Sequence, residues 1–552
     1  MKNFFNKKEL RGDLFGGITA GIVAIPLALA FGSSSGMGAI YGLYGAFAIG
    51  IVAALFGGTP TQISGPTGPM TVISAIVVAA AIAEFGTLGA GIGLIVACFL
   101  VSGAIQVLMG VLGMGRFIRY IPYPVLSGFM TGIGVIIIIL QIFPTFGMGS
   151  PSSPLAVIKT LGNLSGNINL VELALCIATI AVIYTFPKLT KAVPSALVAL
   201  VALTAIAAIA NLDVRLIADE KGGVPKGFPK ILLGSLSTIG TAHIVLIVKF
   251  GAMLAALGAI DSLLTSVVAD KVTRTRHDSN QELIGQGLGN LTSACIGGLP
   301  GAGATMRTVV NVNAGGRNKI SGVVHGALLL LLLLGLGPLA NKIPFSVLAG
   351  ILITVGIGIM DRKGFRDMKS VPGTDTIILW TVLILTVFWN LLYAVAIGVF
   401  MAFIFAIKTN GFKKTMSIIG LAERTAKEDG TGKAGDLHVH NLSGPQFFGT
   451  VFAFRDVVSK FPDTKYVVLN LTDAAEFDQS GAYGLEDAVS DIKDREITPL
   501  LISPKNANRT LLEQTHIIPQ SIPETEVFAD VKECAEWLKS KVDADALKAL
   551  EA

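Results

Sequence analysis

The sequence predicts an all-α polytopic membrane domain of fourteen segments, built as two inverted repeats of seven, followed by a small α/β domain. Three observations carry this. Apolar runs of about 17–25 residues, each able to cross a hydrocarbon core of roughly 30 Å, recur from Leu14 to Ile407. Pro/Gly breaks interrupt two of these runs at matching places in the two halves. After Lys414 the apolar runs give way to alternating short strands and helices, the pattern of a soluble α/β unit. The bulk composition agrees: the 552 residues are 52% hydrophobic and 14% charged, with a mean hydropathy of +0.69, which is outside the range of soluble domains.

The predicted segments lie near 14–31, 40–56, 66–82, 91–113, 122–143, 170–187, 193–210, 249–270, 283–299, 304–314, 321–339, 344–360, 374–390 and 391–409. The loop charges fit this series. Lys and Arg beside a span resist translocation, and they cluster after the even-numbered segments: Arg116 and Arg119, Lys188 and Lys191, Lys271, Arg274 and Arg276, Arg317 and Lys319, Arg362 to Lys369, then Lys408, Lys413 and Lys414. On the other side, Arg215, Lys221, Lys226 and Lys230 share one longer loop with Asp213, Asp219 and Glu220. Both termini are therefore expected in the cytoplasm. Met1 to Asp13 is charged, with no small-residue cleavage site after a short apolar core, so no removable signal is expected.

The repeats span about 14–210 and 249–409 within a transport domain of residues 1–414. A linker is expected over 415–435, rich in Gly, Lys and Glu, and a cytoplasmic α/β domain over 436–545. Its strands are read at Leu437–His440, Tyr466–Leu471, Leu500–Ile502 and Val527–Phe528. Its helices are read near Val451–Lys460 and Gly481–Lys493, with a last one carrying Trp537.

Several function classes drop out. A net charge of +5, spread over short loops, is not a nucleic-acid-binding stripe. No GxxxxGK loop offers an ATP engine. Six histidines without a three-His constellation give no zinc hydratase, and His438 with His440 on one strand lacks further ligands. Cys98, Cys176, Cys295 and Cys534 are scattered without disulfide or metal spacing.

The two breaks read Pro66-Thr67-Gly68-Pro69 and Pro300-Gly301-Ala302-Gly303-Ala304-Thr305-Met306-Arg307. Irregular backbone at membrane depth is tolerated only where it is buried in protein or lines a cavity. A helix starting there presents free N–H groups and a positive dipole end, suited to an anion. Paired interrupted helices at matching positions also point to inverted-repeat transporters. The expectation is that the two tips, with Thr67 and Gly68 at the first and Thr305 and Arg307 at the second, hold a small anion between them. The bland counterpart, Gly-rich helices packing closely, accounts for much of the 64-glycine excess but not for Pro with Gly at both breaks. Thr67 either binds or merely caps its helix. Phe31 and Tyr41 are candidate wall residues, and Gln62 and Gln141 read as structural hydrogen bonders.

Asp261 sits inside an apolar segment, where a carboxylate marks an ion path or a buried partner. Thr265, four residues on, shares its helix face. With Thr305 and carbonyls freed at Gly301–Gly303 they form a hard oxygen cluster suited to Na+; a proton on Asp261 is the rival. Arg307 adds positive charge to the anion site or pairs with Asp261.

At these motifs the chain resembles the SulP family of anion transporters over nearly its full length. The likeness is carried by Arg11-Gly12-Asp13, Gly21 to Pro26, Gly65 to Pro69, Tyr123 to Gly132, Asp261 to Thr265, Glu282 to Asn290 and Asn313 to Arg317. The C-terminal part resembles the STAS domain of that family. The resemblance implies core and gate domains, an elevator-like movement, a homodimer, and anion-binding third and tenth helices. Gly303-Ala304-Thr305-Met306 with Asp261 and Thr265 is most similar to the cyanobacterial sodium-dependent bicarbonate transporters. In that group the matching positions imply sodium at Asp261, Thr265, Gly303 and Thr305, and bicarbonate at Thr67 and Ala304. A small residue stands there in place of Arg307, whereas many other members carry Arg, which keeps sulfate and dicarboxylates open. The first helix has no carboxylate between Leu14 and Phe31, where proton-coupled relatives often place one. Phe477-Asp478-Gln479-Ser480-Gly481 matches a turn phosphorylated in anti-sigma antagonists, which makes Ser480 a candidate switch or simply a helix cap.

The sequence thus leads to a secondary transporter of the bacterial plasma membrane, not an enzyme. It is expected to carry a small anion, bicarbonate first, by symport with sodium as coupling ion and with no resident cofactor. A proton-coupled sulfate or dicarboxylate carrier or an exchanger is the nearest alternative, followed by a passive channel or a STAS-based membrane regulator.

Overall fold

The computed structural model describes residues 9–542 except 116–120, 152, 163–167, 191–192, 220–226, 274, 390, 411–430, 435, 443–453, 455–456, 459–460, 463 and 475–476. Fourteen helices correspond one for one to the predicted segments. They are α1 (Leu10–Ser34), α2 (Ala39–Phe56), α3 (Gly68–Phe85), α4 (Leu88–Val111), α5 (Tyr123–Leu140), α6 (Leu170–Leu189), α7 (Ser195–Ile209), α8 (Ile244–Thr273), α9 (Ser279–Cys295), α10 (Thr305–Asn313), α11 (Lys319–Ala340), α12 (Phe345–Ile359), α13 (Gly373–Phe388) and α14 (Leu391–Asn410). Among the described residues seven helices have by themselves the length and apolarity to span a membrane. Others fall short for visible reasons. α10 has nine residues, about 13 Å of helix, and α9 carries a polar face of Glu282, Gln286 and Asn290.

The residues group into two compact units, Met1–Ile118 with Ile133–Met360, and Arg119–Gly132 with Asp361–Ala552. In the first, close helix contacts depend on glycine. A Cβ on Gly42 of α2 would stand 1.8 Å from the Ala28 carbonyl oxygen of α1, so no other residue permits that approach. Both chain breaks are extended and pair as a two-stranded antiparallel ribbon, β1 (Ser64–Gly65) with β2 (Ala302–Gly303), in register Ser64 to Gly303 and Gly65 to Ala302. α3 is not a short helix, at 18 residues; what interrupts its segment is the non-helical stretch from Gly57 to Thr67 that precedes it, with a turn at Pro60–Thr61 before the extended residues.

The second unit contains α13, α14 and a five-stranded sheet in the order β3 (Thr431–Ala434), β4 (Leu437–Asn441), β5 (Tyr466–Asn470), β6 (Thr498–Ile502), β7 (Val527–Phe528). β3 is antiparallel to β4, and the remaining neighbours are parallel. Alternation fills both faces. Val467, Leu469 and Leu501 pack with Leu485, Val489 and Ile492 of α15 (Gln479–Lys493). Val468, Leu500 and Ile502 pack with Cys534 and Leu538 of a C-terminal helix, Val531–Leu538.

β3 lies at the end of the stretch read as linker; residues 415–430 of that stretch, and most of the helix expected near Val451–Lys460, are outside the described residues. A polar Thr-Gly-Lys-Ala strand has no apolar alternation to betray it, as befits an edge. His438 and His440 belong to β4, and both rings pack on Phe461. Burial, with His438 beside it, holds the His440 imidazole down to about 4.

Within this unit α15 meets the N-terminal end of α5 and the segment after α12. Asp478, not Ser480, caps α15, its side chain accepting from the Gly481 N–H at 2.6 Å. The Ser480 hydroxyl instead accepts from the Tyr123 N–H at 3.0 Å, so the capping expectation for Ser480 is corrected. The Tyr123 hydroxyl donates to Asp361 and the Tyr483 hydroxyl to Asp367, both at 2.7 Å. The Gln479 N–H donates to Asp375 at 2.8 Å, and Lys363 pairs with Glu486.

Candidate functional site

Each break follows from its sequence. Pro66 and Pro69 deny two backbone donors, and Gly65 adopts φ +155°, so the chain stays extended until Gly68 and then turns into α3. At the second break Gly301 is required by space: a Cβ there would lie 2.2 Å from Gly65 of the other break. The buried backbone is satisfied around the ribbon, as it must be away from water. The Gly301 N–H donates to Asn290 Oδ1 at 2.8 Å and its carbonyl accepts from Asn290 Nδ2 at 3.0 Å, so a side-chain amide completes the strand. The Gly303 N–H donates to Ser262 Oγ at 3.1 Å, and the Ala304 N–H to the Ile63 carbonyl at 2.8 Å.

Both tips touch α8. Thr67 is the N-cap residue of α3 but its side chain makes no capping bond; its hydroxyl donates to Asp261 Oδ2 at 2.7 Å. One turn along α8, Thr265 Oγ1 lies 3.0 Å from the Gly303 carbonyl oxygen, to which it donates, and 2.8 Å from Thr305 Oγ1 at the start of α10. A four-residue step, roughly 6 Å along the axis, therefore links the two helix N-termini through one helix face. Among the described residues nothing donates to Asp261 Oδ1. That oxygen, the Gly303 carbonyl and the two threonine hydroxyls form a hard-oxygen set with one negative charge.

Neither tip is capped by a side chain, leaving first-turn N–H groups directed at the gap. Ala304 is the N-cap residue of α10. Thr67 and Asp261 are buried, while Thr305 and Met306 are exposed, so the site is open beside α10. Gly68 is walled by Ile137, Ile359 and Phe31, at 2.8, 3.0 and 3.9 Å from where its Cβ would stand. Tyr41 lies elsewhere, edge-on to Tyr44 with its carbonyl accepting from the Leu299 N–H.

Arg307 is 2% exposed, and its guanidinium donates to the Pro66 carbonyl at 2.7 Å. No carboxylate among the described residues comes within ion-pair distance of it. The alternative of a direct pair with Asp261 is therefore not realised; the guanidinium ties the second helix to the first break and leaves its charge near both tips.

A buried polar layer beneath the tips was not assigned a role from sequence. Glu282 accepts from the Gly58 and Thr59 N–H groups at 2.9 and 2.8 Å and from the Gln62 and Gln286 amides at 2.8 and 2.7 Å. Gln286 also donates to Ser64 at 2.6 Å. Glu282, Gln286 and Asn290 recur every fourth residue, a polar stripe on one helix face, and that spacing was the available signal. Gln62 has the structural role expected, and Gln141 donates to Ser34 at 3.4 Å. Among the described residues no group of three His, Cys, Asp or Glu side chains could hold a metal.

Interrupted helices meeting at the buried Asp261 carboxylate define a membrane transporter of small ions, and comparison with known proteins gives the family. Residues 10–382 match the Sulfate permease family and residues 381–534 the STAS domain. The chain is 39% identical over 538 residues to the bicarbonate transporter BicA of Picosynechococcus sp., covering 95% of this chain and 94% of that protein. It is 36% identical to the BicA protein of Synechocystis sp., covering 96% and 94%. The solved transmembrane domain of a cyanobacterial BicA superposes with a TM-score of 0.66 at 42% identity, over 71% of this chain and 98% of that one. The chain belongs to the sulfate permease (SulP) family and is an anion transporter with a C-terminal STAS domain.

Proposed function

We propose that the chain is a sodium-coupled symporter of a small inorganic anion, bicarbonate first. The observation that carries this is the placing of Asp261 and Thr265, one turn apart on α8, against the tips of both interrupted helices. Sodium would be held by Asp261, Thr265, the Gly303 carbonyl and Thr305; the anion would sit against Thr67, Gly68 and Ala304, held by the first-turn N–H groups of α3 and α10, by Thr305 and by the charge of Arg307.

The coupling argument is electrostatic. An ionised Asp261 at the tips opposes an anion by about 3 kcal/mol at roughly 5 Å and an effective dielectric of 20, close to a hundredfold in affinity. A sodium ion on the carboxylate removes that repulsion, so each ion favours the other, as reciprocal linkage requires. The likeness to the BicA proteins supports bicarbonate. One observation favours a second reading: the permanent cation Arg307, held at the Pro66 carbonyl, would attract a divalent anion more strongly, which suits a sulfate or dicarboxylate carrier coupled to a proton on Asp261.

Further parts of the reading are an elevator-like movement, a homodimer in the bacterial plasma membrane and cytoplasmic termini. They draw support from family membership and from the even-side clustering of Lys and Arg. Ser480 is a candidate regulatory site, since its hydroxyl accepts from the Tyr123 N–H and a phosphate there would put about two negative charges and a bulky group into that contact. Uptake of labelled bicarbonate and sulfate into proteoliposomes, with Na+ replaced by choline at constant pH, tests the symport directly.

A further inference from the structure

We infer a second, shallower anion site, a reception site beside the later turns of α3; it rests on the anion-transport reading above. The first unit contains a cavity of about 370 Å³. It lies between the C-terminal end of α1, the later turns of α3 from Ala75 to Ile82, the end of α5 and the start of α12. Ala75 is eight residues beyond Thr67, so the cavity begins roughly 12 Å along α3 from the ion site.

Its lining chemistry is one-sided. Arg215 is the ionised side chain in the wall, no Asp or Glu lines it, and the polar remainder is hydroxyls and an amide, including Ser34, Ser35 and Gln141. The Arg215 guanidinium lies over the Phe345 ring at 4.5 Å, which fixes its plane. Its backbone is clamped on both sides: its N–H donates to Glu172 Oε1 at 2.6 Å and its carbonyl accepts from the Phe345 N–H at 2.9 Å. Glu172 thus takes the amide, and no carboxylate among the described residues comes within ion-pair distance of the guanidinium. A rigidly held guanidinium with no ion-pair partner among the described residues, in a concave wall that also carries the Ser34 hydroxyl, suits a small oxyanion, because a guanidinium fork matches two oxygens of one planar group. The apolar walls from α3 and α12 keep the local dielectric low and focus the field of that single charge. The site would concentrate anions at the mouth before they pass along α3 to the tips.

The test uses full-length protein in proteoliposomes at saturating Na+, with labelled bicarbonate and labelled sulfate. For whichever anion the wild type carries, Arg215→Gln is expected to raise KM for entry from the cavity side about fivefold and to flatten its salt dependence. Vmax and half-saturation by Na+ should stay within twofold, and Arg215→Lys should restore most of the affinity. Ser34→Asp, which leaves the Arg215 clamps untouched, is expected to raise KM about tenfold by setting a negative charge in the wall. An unchanged KM in Ser34→Asp, or in a well-folded Arg215→Gln, overturns the reception site while leaving the transporter reading intact. Failure of the wild type to carry either anion would instead sink the reading on which it rests.

Discussion

The Thr67 hydroxyl donates to Asp261 Oδ2 at 2.7 Å, joining the cap residue of one interrupted helix to a carboxylate midway along α8. A hydroxyl at an N-cap normally serves its own helix; here it is diverted to a carboxylate 194 residues away. Asp261→Asn keeps the shape and the acceptor but removes the charge. Uptake by this variant should lose its Na+ dependence, measured as initial rate against Na+ concentration. A wild-type Na+ response in the variant counts against the assignment.

Thr265 lies between the Gly303 carbonyl and Thr305. Thr265→Val keeps the volume and deletes one oxygen ligand while leaving the Gly303 carbonyl without its donor. A loss of about 1.4 kcal/mol, typical of one such polar contact, should raise the half-saturating Na+ concentration roughly tenfold. Anion KM measured at saturating Na+ should change little.

Arg307→Gln separates the two substrate readings. Coulomb attraction scales with anion charge, so a variant that raises KM about tenfold for a monovalent anion should raise it roughly a hundredfold for a divalent one. Competition of labelled bicarbonate uptake by sulfate in the two proteins measures the ratio. Equal KM values in wild type and variant for every anion would leave Arg307 only its bond to Pro66.

Gly301→Ala places a methyl 2.2 Å from Gly65, so the ribbon must open. Transport should fall at least about tenfold, equivalent to some 1.4 kcal/mol, with protein still present in the membrane by immunoblot. Near-normal uptake would mean that the close crossing of the breaks is dispensable.

The C-terminal domain should be acid-sensitive. The His440 imidazole is held down to about 4 from an ordinary 6.5, first by burial and then by His438. A depressed value means that the unfolded chain takes up a proton which the folded one refuses. The stability from His440 is therefore complete above pH about 6.5 and is lost as pH falls towards 4. Proteolytic susceptibility of that domain, followed from pH 7 to 4.5, should rise, and His440→Phe should blunt the rise.

Much of the site was legible because its parts are local. Pro66, Pro69, Pro300 and Gly301 mark the breaks by backbone chemistry alone, and Asp261 with Thr265 shows its shared face by a spacing of four. The Glu282 layer was not legible in its role. Its partners Gly58 and Thr59 donate through backbone amides more than 220 residues away, and no side-chain pattern records an amide. Ser480 was misread as a cap because Asp478 competes for the same turn, and only the fold brings Tyr123 to its hydroxyl. β3 escaped because an edge strand without apolar alternation looks like linker.

The most direct test of the central claim is labelled bicarbonate uptake into sealed proteoliposomes at fixed pH and membrane potential, with external Na+ exchanged for choline. Coupling through Asp261 predicts that uptake falls at least tenfold in choline and that labelled sodium enters with the anion. Unchanged bicarbonate uptake in choline would contradict it.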